Sequence, residues 1–159
     1  MAEDAKFEEG GEAPLQLKAV DADDLAVIAA LAQDAVFPAN EMTWQSGRRR
    51  FAVLLNRFRW EDQARAENRK RAYERVQSVL VVNDVVNVQS QGVEREDADV
   101  IMSLLSIVFT PSNDGTGRIL LTLAGDGAIA LDVECLDVVL KDVTRPYVAL
   151  SKSAPNHPE

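Results

Sequence analysis

The residues best suited to chemistry are crowded into one basic stretch. Residues 48–75 hold nine arginines (Arg48, Arg49, Arg50, Arg57, Arg59, Arg65, Arg69, Arg71 and Arg75) and Lys70. Only Glu61, Asp62, Glu67 and Glu74 oppose them, so the segment stands at +6 while the rest of the chain stands at −15. The whole carries a formal charge of −9 and a pI near 4.6. A cationic block on an anionic chain sets up a local positive field. Guanidinium forks match phosphate and carboxylate groups. Phe58, Trp60 and Tyr73 add aromatic faces on which a base could stack. Arg48, Arg50, Arg57, Arg59, Trp60, Arg69 and Arg71 are therefore the candidate contacts for a protein partner, a small anion or RNA. The plainer reading is that these arginines pair with the acidic remainder, within the chain or across a dimer.

Other reactive groups are sparse. Cys135 is the sole cysteine and His157 the sole histidine, in a Ser-Ala-Pro-Asn-His-Pro-Glu terminus. That excludes an internal disulfide framework and argues against a Cys/His zinc site. Asp132, Glu134, Asp137 and Asp142 surround Cys135, and a carboxylate pair can run acid–base chemistry when burial raises one pKa. A solvated acidic face is the simpler expectation, with Cys135 a small core or half-buried residue that lacks a neighbouring base. Asp114 and Asp126 sit beside glycines, but Asn113-Asp114-Gly115-Thr116-Gly117 lacks a phosphate loop's lysine and a calcium loop's repeated oxygen ligands. These are read as turns. No catalytic residue, metal or cofactor is assigned.

The elements that must position these side chains follow from periodicity. Leu15, Leu17 and Ala19 alternate with polar residues as a first strand. Asp21 is an N-cap, and Leu25, Ile28, Ala29, Leu31, Ala32 and Ala35 give a helical face over Ala22–Ala35. An irregular strand spans Phe37–Trp44, and Phe51, Val53 and Leu55 alternate along the next, placing Trp44 opposite Phe51. Residues 61–73 read as a polar basic loop. Arg75–Val82 and Val85–Ser90 are strands joined by a two-residue Asn83-Asp84 turn. Ile101–Thr110 is a long strand, and Gly125-Asp126-Gly127 joins Arg118–Ala124 to Ala128–Val133 in a hairpin. Residues 134–143 fit either period, with a slight preference for helix.

With 159 residues the chain supports one core. The expected organisation is an acidic leader (1–14), one α+β domain (15–150) and a tail (151–159). Hairpin-sized links and the lack of a βαβ series favour an antiparallel, strongly curved sheet or partly open barrel with one or two packed helices. A pleckstrin-homology-like barrel is one specific version. No apolar run is long enough to cross a bilayer and no secretory signal is visible, so a cytoplasmic location without membrane contact is the default.

Three groups of residues carry a resemblance: Leu25-Ala26-Val27 with Gln33-Asp34-Ala35; Arg50-Phe51 with Asn56-Arg57-Phe58-Arg59-Trp60-Glu61; and Val133-Glu134-Cys135-Leu136 with Leu140-Lys141-Asp142-Val143. Together they are similar to a family of small alphaproteobacterial proteins, a domain of unknown function, over Leu15–Pro146. The resemblance implies a single-domain bacterial protein and transfers no catalytic role. The leading expectation is a non-enzymatic protein-interaction or self-association domain. A small-anion binder or enzyme using Arg48–Arg59 with a carboxylate such as Asp84 or Asp126 is the rival, and weak RNA binding the third reading.

Overall fold

Asp21 begins the first helix by accepting a 2.8 Å hydrogen bond from the Asp24 backbone N–H, which satisfies one of the unpaired donors of the first turn. In this computed structural model, which describes residues 14–68, 73–93 and 100–148, that helix (α1) runs Ala22–Ala32. It buries Leu25, Ile28 and Ala32. It stops short of the expected Ala35 because Asp34 takes a positive φ of 64°, and the N–H of Ala35 returns to the Ala32 carbonyl.

The strands are β1 (Gln16–Ala19), β2 (Val36–Pro38), β3 (Met42–Gln45), β4 (Arg50–Phe58), β5 (Glu74–Val82), β6 (Val85–Gln91), β7 (Ile101–Pro111), β8 (Gly117–Leu123), β9 (Ala128–Val133), β10 (Val138–Asp142) and β11 (Tyr147–Val148). The irregular strand predicted over 37–44 is β2 and β3, separated by a 3₁₀ turn at Ala39–Glu41, and Trp44 does face Phe51. A second, short helix, α2 (Gln63–Asn68), occupies much of the expected basic loop and buries Ala66.

All pairings are antiparallel, in the order β1-β10-β5-β4-β2-β7-β8-β9-β6, with β11 on β5 and β3 on β4. The α+β class therefore holds, but the strongly curved sheet or partly open, pleckstrin-homology-like barrel does not. The path is open, and its ends β1 and β6 share no register. The Asn83-Asp84 link shows part of the reason. β5 already has β4 on one edge and β10 on the other, so β6 cannot fold back on it as a hairpin. Asp84 adopts a φ of 58° and the chain passes to the free edge of β9 instead.

Residues 134–143 contain strand β10 and not the preferred helix. Val138, Leu140 and Asp142 are buried while Val139 and Lys141 lie outward, the two-residue period of a strand held between β1 and β5. The β8–β9 hairpin forms as expected, with Gly125 and Asp126 at φ of 79° and 69°. One cluster of buried side chains links both arms of the sheet, from Ala19, Ile28 and Leu55 to Ile119, Leu131 and Leu140. The expected leader, except Pro14, and the expected tail 151–159 lie outside the described residues.

Candidate functional site

Three neighbouring strands each place one polar residue on their inward phase. On β4 the buried series Phe51, Val53, Leu55 continues to Arg57; on β5, Val76 and Leu80 flank Ser78; on β10, Leu140 is followed by Asp142. The register sets Ser78 opposite both Leu55 and Asp142, which brings the three polar groups together. Arg57 is fully buried. Its Nε donates to Ser78 Oγ (3.0 Å) and Asp142 Oδ1 (3.2 Å), and Nη2 also donates to Asp142 Oδ1 at 3.0 Å. The outer side of the fork meets Glu61, with Nη1–Oε1 at 2.9 Å and Nη2–Oε2 at 2.8 Å. Asp142 further accepts from the Ser78 hydroxyl (2.6 Å) and the Leu15 backbone N–H (2.9 Å). Burial disfavours the Arg57 charge, but the hydrogen bonds and charges of Glu61 and Asp142 outweigh it, and the pKa lies above its ordinary value.

Arg59 sits alongside, 4% exposed. Its Nη1 donates to Glu74 Oε1 at 2.6 Å and stands 3.7 Å from Asp62 Oδ2. Trp60 is half-buried, donates from Nε1 to the Gln33 carbonyl (3.0 Å) and meets the Phe58 ring edge-on at 4.8 Å. Arg75 donates to Asn56 Oδ1 (2.7 Å), and burial lowers its pKa. The centre of the basic block is thus a set of internal ties joining β4, β5, β10 and the turn before α2.

The remaining candidates disperse. Arg48 and Arg50 are exposed, and Arg50 Nε donates to Asn83 Oδ1 at 3.2 Å. Arg69 and Arg71 lie outside the described residues. The four carboxylates around Cys135 each face a different cation: Asp132 with Arg118, Glu134 with Arg49, Asp137 with Lys18 and Asp142 with Arg57. No acid–base pair is assembled from them. Cys135 is exposed, not the small core or half-buried residue expected, and donates to Asp84 Oδ2 at 3.0 Å. That hydrogen bond to a carboxylate, with lesser help from desolvation and nearby acids, raises the thiol pKa. Asp84 and Asp126 serve as positive-φ turn residues. Among the described residues, no three His, Cys, Asp or Glu side chains are grouped to hold a metal ion.

Val20, Val27, Val143, Tyr147 and Val148 are exposed apolar residues at other places in the fold. One partly uncovered surface lies away from them, on the arm β7-β8-β9-β6. Its outward phase forms cross-strand rows, Val108-Leu120-Ala130-Gln89 and Thr110-Arg118-Asp132-Asn87. Val108 and Leu120 are 53% and 38% exposed. In the second row Arg118 Nε donates to Asp132 Oδ1 (2.8 Å), which holds the Asp132 pKa below its ordinary value. An open groove of about 490 Å³ lies at this end, lined by Val86, Thr110, Pro111, Arg118, Asp132 and Glu134 among others. The outermost strand, β6, reads Val-Val-Asn-Val-Gln-Ser-Gln, with exposed Asn87, Gln89, Ser90 and Gln91. It pairs with β9 on one side, and no strand among the described residues pairs with the other.

Sequence reasoning assigns no functional role to Ser78 or to the Val85–Ser90 strand, and chemically it offers Asp142 only as an acid near Cys135. The available signal was the strand phase: a charged residue at an inward position, such as Arg57 after Leu55, requires buried partners on the neighbouring strands. An antiparallel α+β sheet whose polar centre is spent on internal ion pairs defines a structural class of domain without specifying a reaction. The chain belongs to the DUF2948 family of proteins of unknown function, whose model matches residues 15–157. No curated protein and no solved structure matches it.

Proposed function

We propose that this chain is a binding module, a protein-interaction or self-association domain, acting in an alphaproteobacterial cytoplasm. The observation that carries this reading is the partly uncovered arm: exposed Val108 and Leu120 on β7 and β8, and the outermost strand β6, whose far edge no strand among the described residues pairs, although the Val85 N–H at its start donates to the Arg49 carbonyl (2.9 Å). Open sheet edges are templates for another strand, and exposed apolar rows gain from being covered. The anion reading has less support, because Arg57 and Arg59 already direct their donors at the chain's own carboxylates. A phosphate would have to displace Asp142, Glu61 or Glu74 to reach them. The described helices include none long and apolar enough to cross a membrane.

The test is purification of tagged full-length chain at moderate salt, with and without nuclease. The proposal expects stoichiometric protein, either a further copy or a different chain, that survives nuclease. Nucleic acid retained in a salt-sensitive manner and lost on neutralising Arg69 and Arg71 would replace it with the RNA reading. A bound small anion with no protein, released by neutralising Arg48 and Arg50, would favour the rival.

A further inference from the structure

Resting on the interaction reading above, we infer that the groove at the end of the β7-β8-β9-β6 arm receives a lysine side chain from a basic segment of a partner protein. At about 490 Å³ the groove is in the size range of clefts that hold a ligand. The apolar part of its lining is Val86, Pro111 and Val133. Val86 stands there because β6 is bulged. Val85 pairs with Val133 and Asn87 with Asp132, which leaves Val86 as the extra residue of the strand, 48% exposed. A bulge re-aims a side chain, and this one gives the groove an aliphatic wall. Such a wall suits the long aliphatic stem of lysine, which lies along apolar groups while its ammonium stays in water.

The polar part of the lining selects the sign of the occupant. It holds two carboxylates, Asp132 and Glu134, and one cation, Arg118. Arg118 is already engaged, with Nε and Nη2 donating to the two oxygens of Asp132 at 2.8 and 3.3 Å. Glu134 gives Oε1 to Arg49, and among the described residues no donor bonds its Oε2. The Glu134 side chain is 51% exposed and that of Asp132 31%, so both are within reach of a ligand. The hydroxyls of Thr110 and Ser112 add further acceptors. An ammonium brings three donors and no acceptor, which matches a lining whose spare capacity is in acceptors. An anion would instead meet both carboxylates. The chain's overall charge of −9 also draws cations towards it.

A protein segment is the source these surroundings favour. Thr110 and Arg118, which line the groove, stand two residues along their strands from exposed Val108 and Leu120. A segment seated in the groove therefore continues onto an apolar row that a free cation would leave bare. Exposed ion pairs are individually weak, so the affinity of a short basic peptide is modest and falls with salt.

Amide NMR of the full chain tests this, in titrations with a capped peptide of alternating alanine and lysine. The same peptide with glutamine or glutamate in place of lysine is the control. The lysine peptide should shift the amides of Val86, Arg118, Val133 and Glu134 in a saturable, salt-sensitive manner, and the controls should not. Glu134→Gln should weaken that binding roughly threefold. Val86→Lys, which fills the groove with a cation of the chain's own, should abolish it. Both positions are exposed, so the urea midpoints of the variants should stay near that of the native chain. Shifts scattered over other acidic residues, an equal response to the glutamine peptide, or no response overturns the inference. Spermidine bound in the groove where the lysine peptide is not would also overturn it and give the site to a free polyamine. If the groove takes no lysine but a protein co-purifies, this inference fails and the interaction reading stands. If no protein co-purifies either, both fail.

Discussion

Asp142→Ala removes, in one change, an acceptor for Arg57 Nε and Nη2, and the acceptor for the Ser78 hydroxyl and for the Leu15 backbone N–H. The guanidinium it leaves behind is fully buried and keeps only Glu61, on its outer side, as a charged partner. Breaking one side of a buried ion pair costs about 3–5 kcal/mol, because the surviving charge stays desolvated. That is a large part of the roughly 5–15 kcal/mol that holds an ordinary domain together. With a urea slope of about 2 kcal/mol/M, the unfolding midpoint should fall by about 2 M. Arg57→Leu combined with Asp142→Leu removes both buried charges and should lie closer to the native midpoint than Asp142→Ala, since the one charge it unpairs, Glu61, is 29% exposed and keeps Arg59 3.9 Å away. Urea titrations followed by tryptophan fluorescence and far-UV circular dichroism measure both. The reasoning is refuted if Asp142→Ala lowers stability by less than about 1 kcal/mol, or if the double change costs the sum of the single ones.

Further outcomes are expected elsewhere in the molecule. At Gly117, an added Cβ would lie 2.4 Å from the Phe109 ring and 2.6 Å from the Thr110 carbonyl. Gly117→Ala should therefore cost about 1–3 kcal/mol in thermal or urea unfolding. Asp84→Asn removes the carboxylate that raises the Cys135 pKa. Thiol reaction with a chromogenic disulfide near neutral pH should quicken several-fold in that variant, and its pH profile should move to lower pH. For Asp132 the sign follows from its depressed folded-state pKa. Its pairing with Arg118 stabilises the fold above the ordinary aspartate range and is lost as pH falls through the lowered folded-state value. The small difference in urea midpoint between the native chain and Arg118→Gln should thus be present at neutral pH and vanish in strong acid.

The elements legible in the sequence were those whose reasons are local. Asp21 caps α1 three residues ahead, and Gly125-Asp126-Gly127 supplies the positive φ angles that close the β8–β9 hairpin. The Trp44–Phe51 pair follows from the alternation on either side of a short turn. What failed depended on the sheet as a whole. Asn83-Asp84 has hairpin chemistry, but whether a hairpin forms depends on β5 having a vacant edge. That edge is taken by β10, some sixty residues later in the chain. Residues 138–142 have helical as well as strand spacing, and only the slot between β1 and β5 decides for the strand.

The basic stretch misleads in the same way. Counted along the chain, residues 48–75 are an isolated cationic block, yet Arg49 and Arg57 meet Glu134 and Asp142, each 85 positions away. Folding joins opposite charges that the sequence keeps apart, because strands distant in order become neighbours in the sheet. Arg57 was visible as a strand residue on the same phase as Phe51, Val53 and Leu55. Its position on the buried face was a better guide to its role than its charge. Arg48 and Arg50, before and at the outer end of that strand, remain at the surface.

The most direct test of the interaction account is amide hydrogen exchange along Val85–Gln91 in the full chain, as first purified at moderate salt and after its partner is stripped at high salt. Amides of β6 that point away from β9, apart from Val85, which is bonded to the Arg49 carbonyl, should exchange quickly in the stripped chain and more slowly in the chain as purified, while those bonded to β9 change little. Exchange that is the same in both would contradict a partner on this arm. Slowing confined to another strand would place the contact elsewhere.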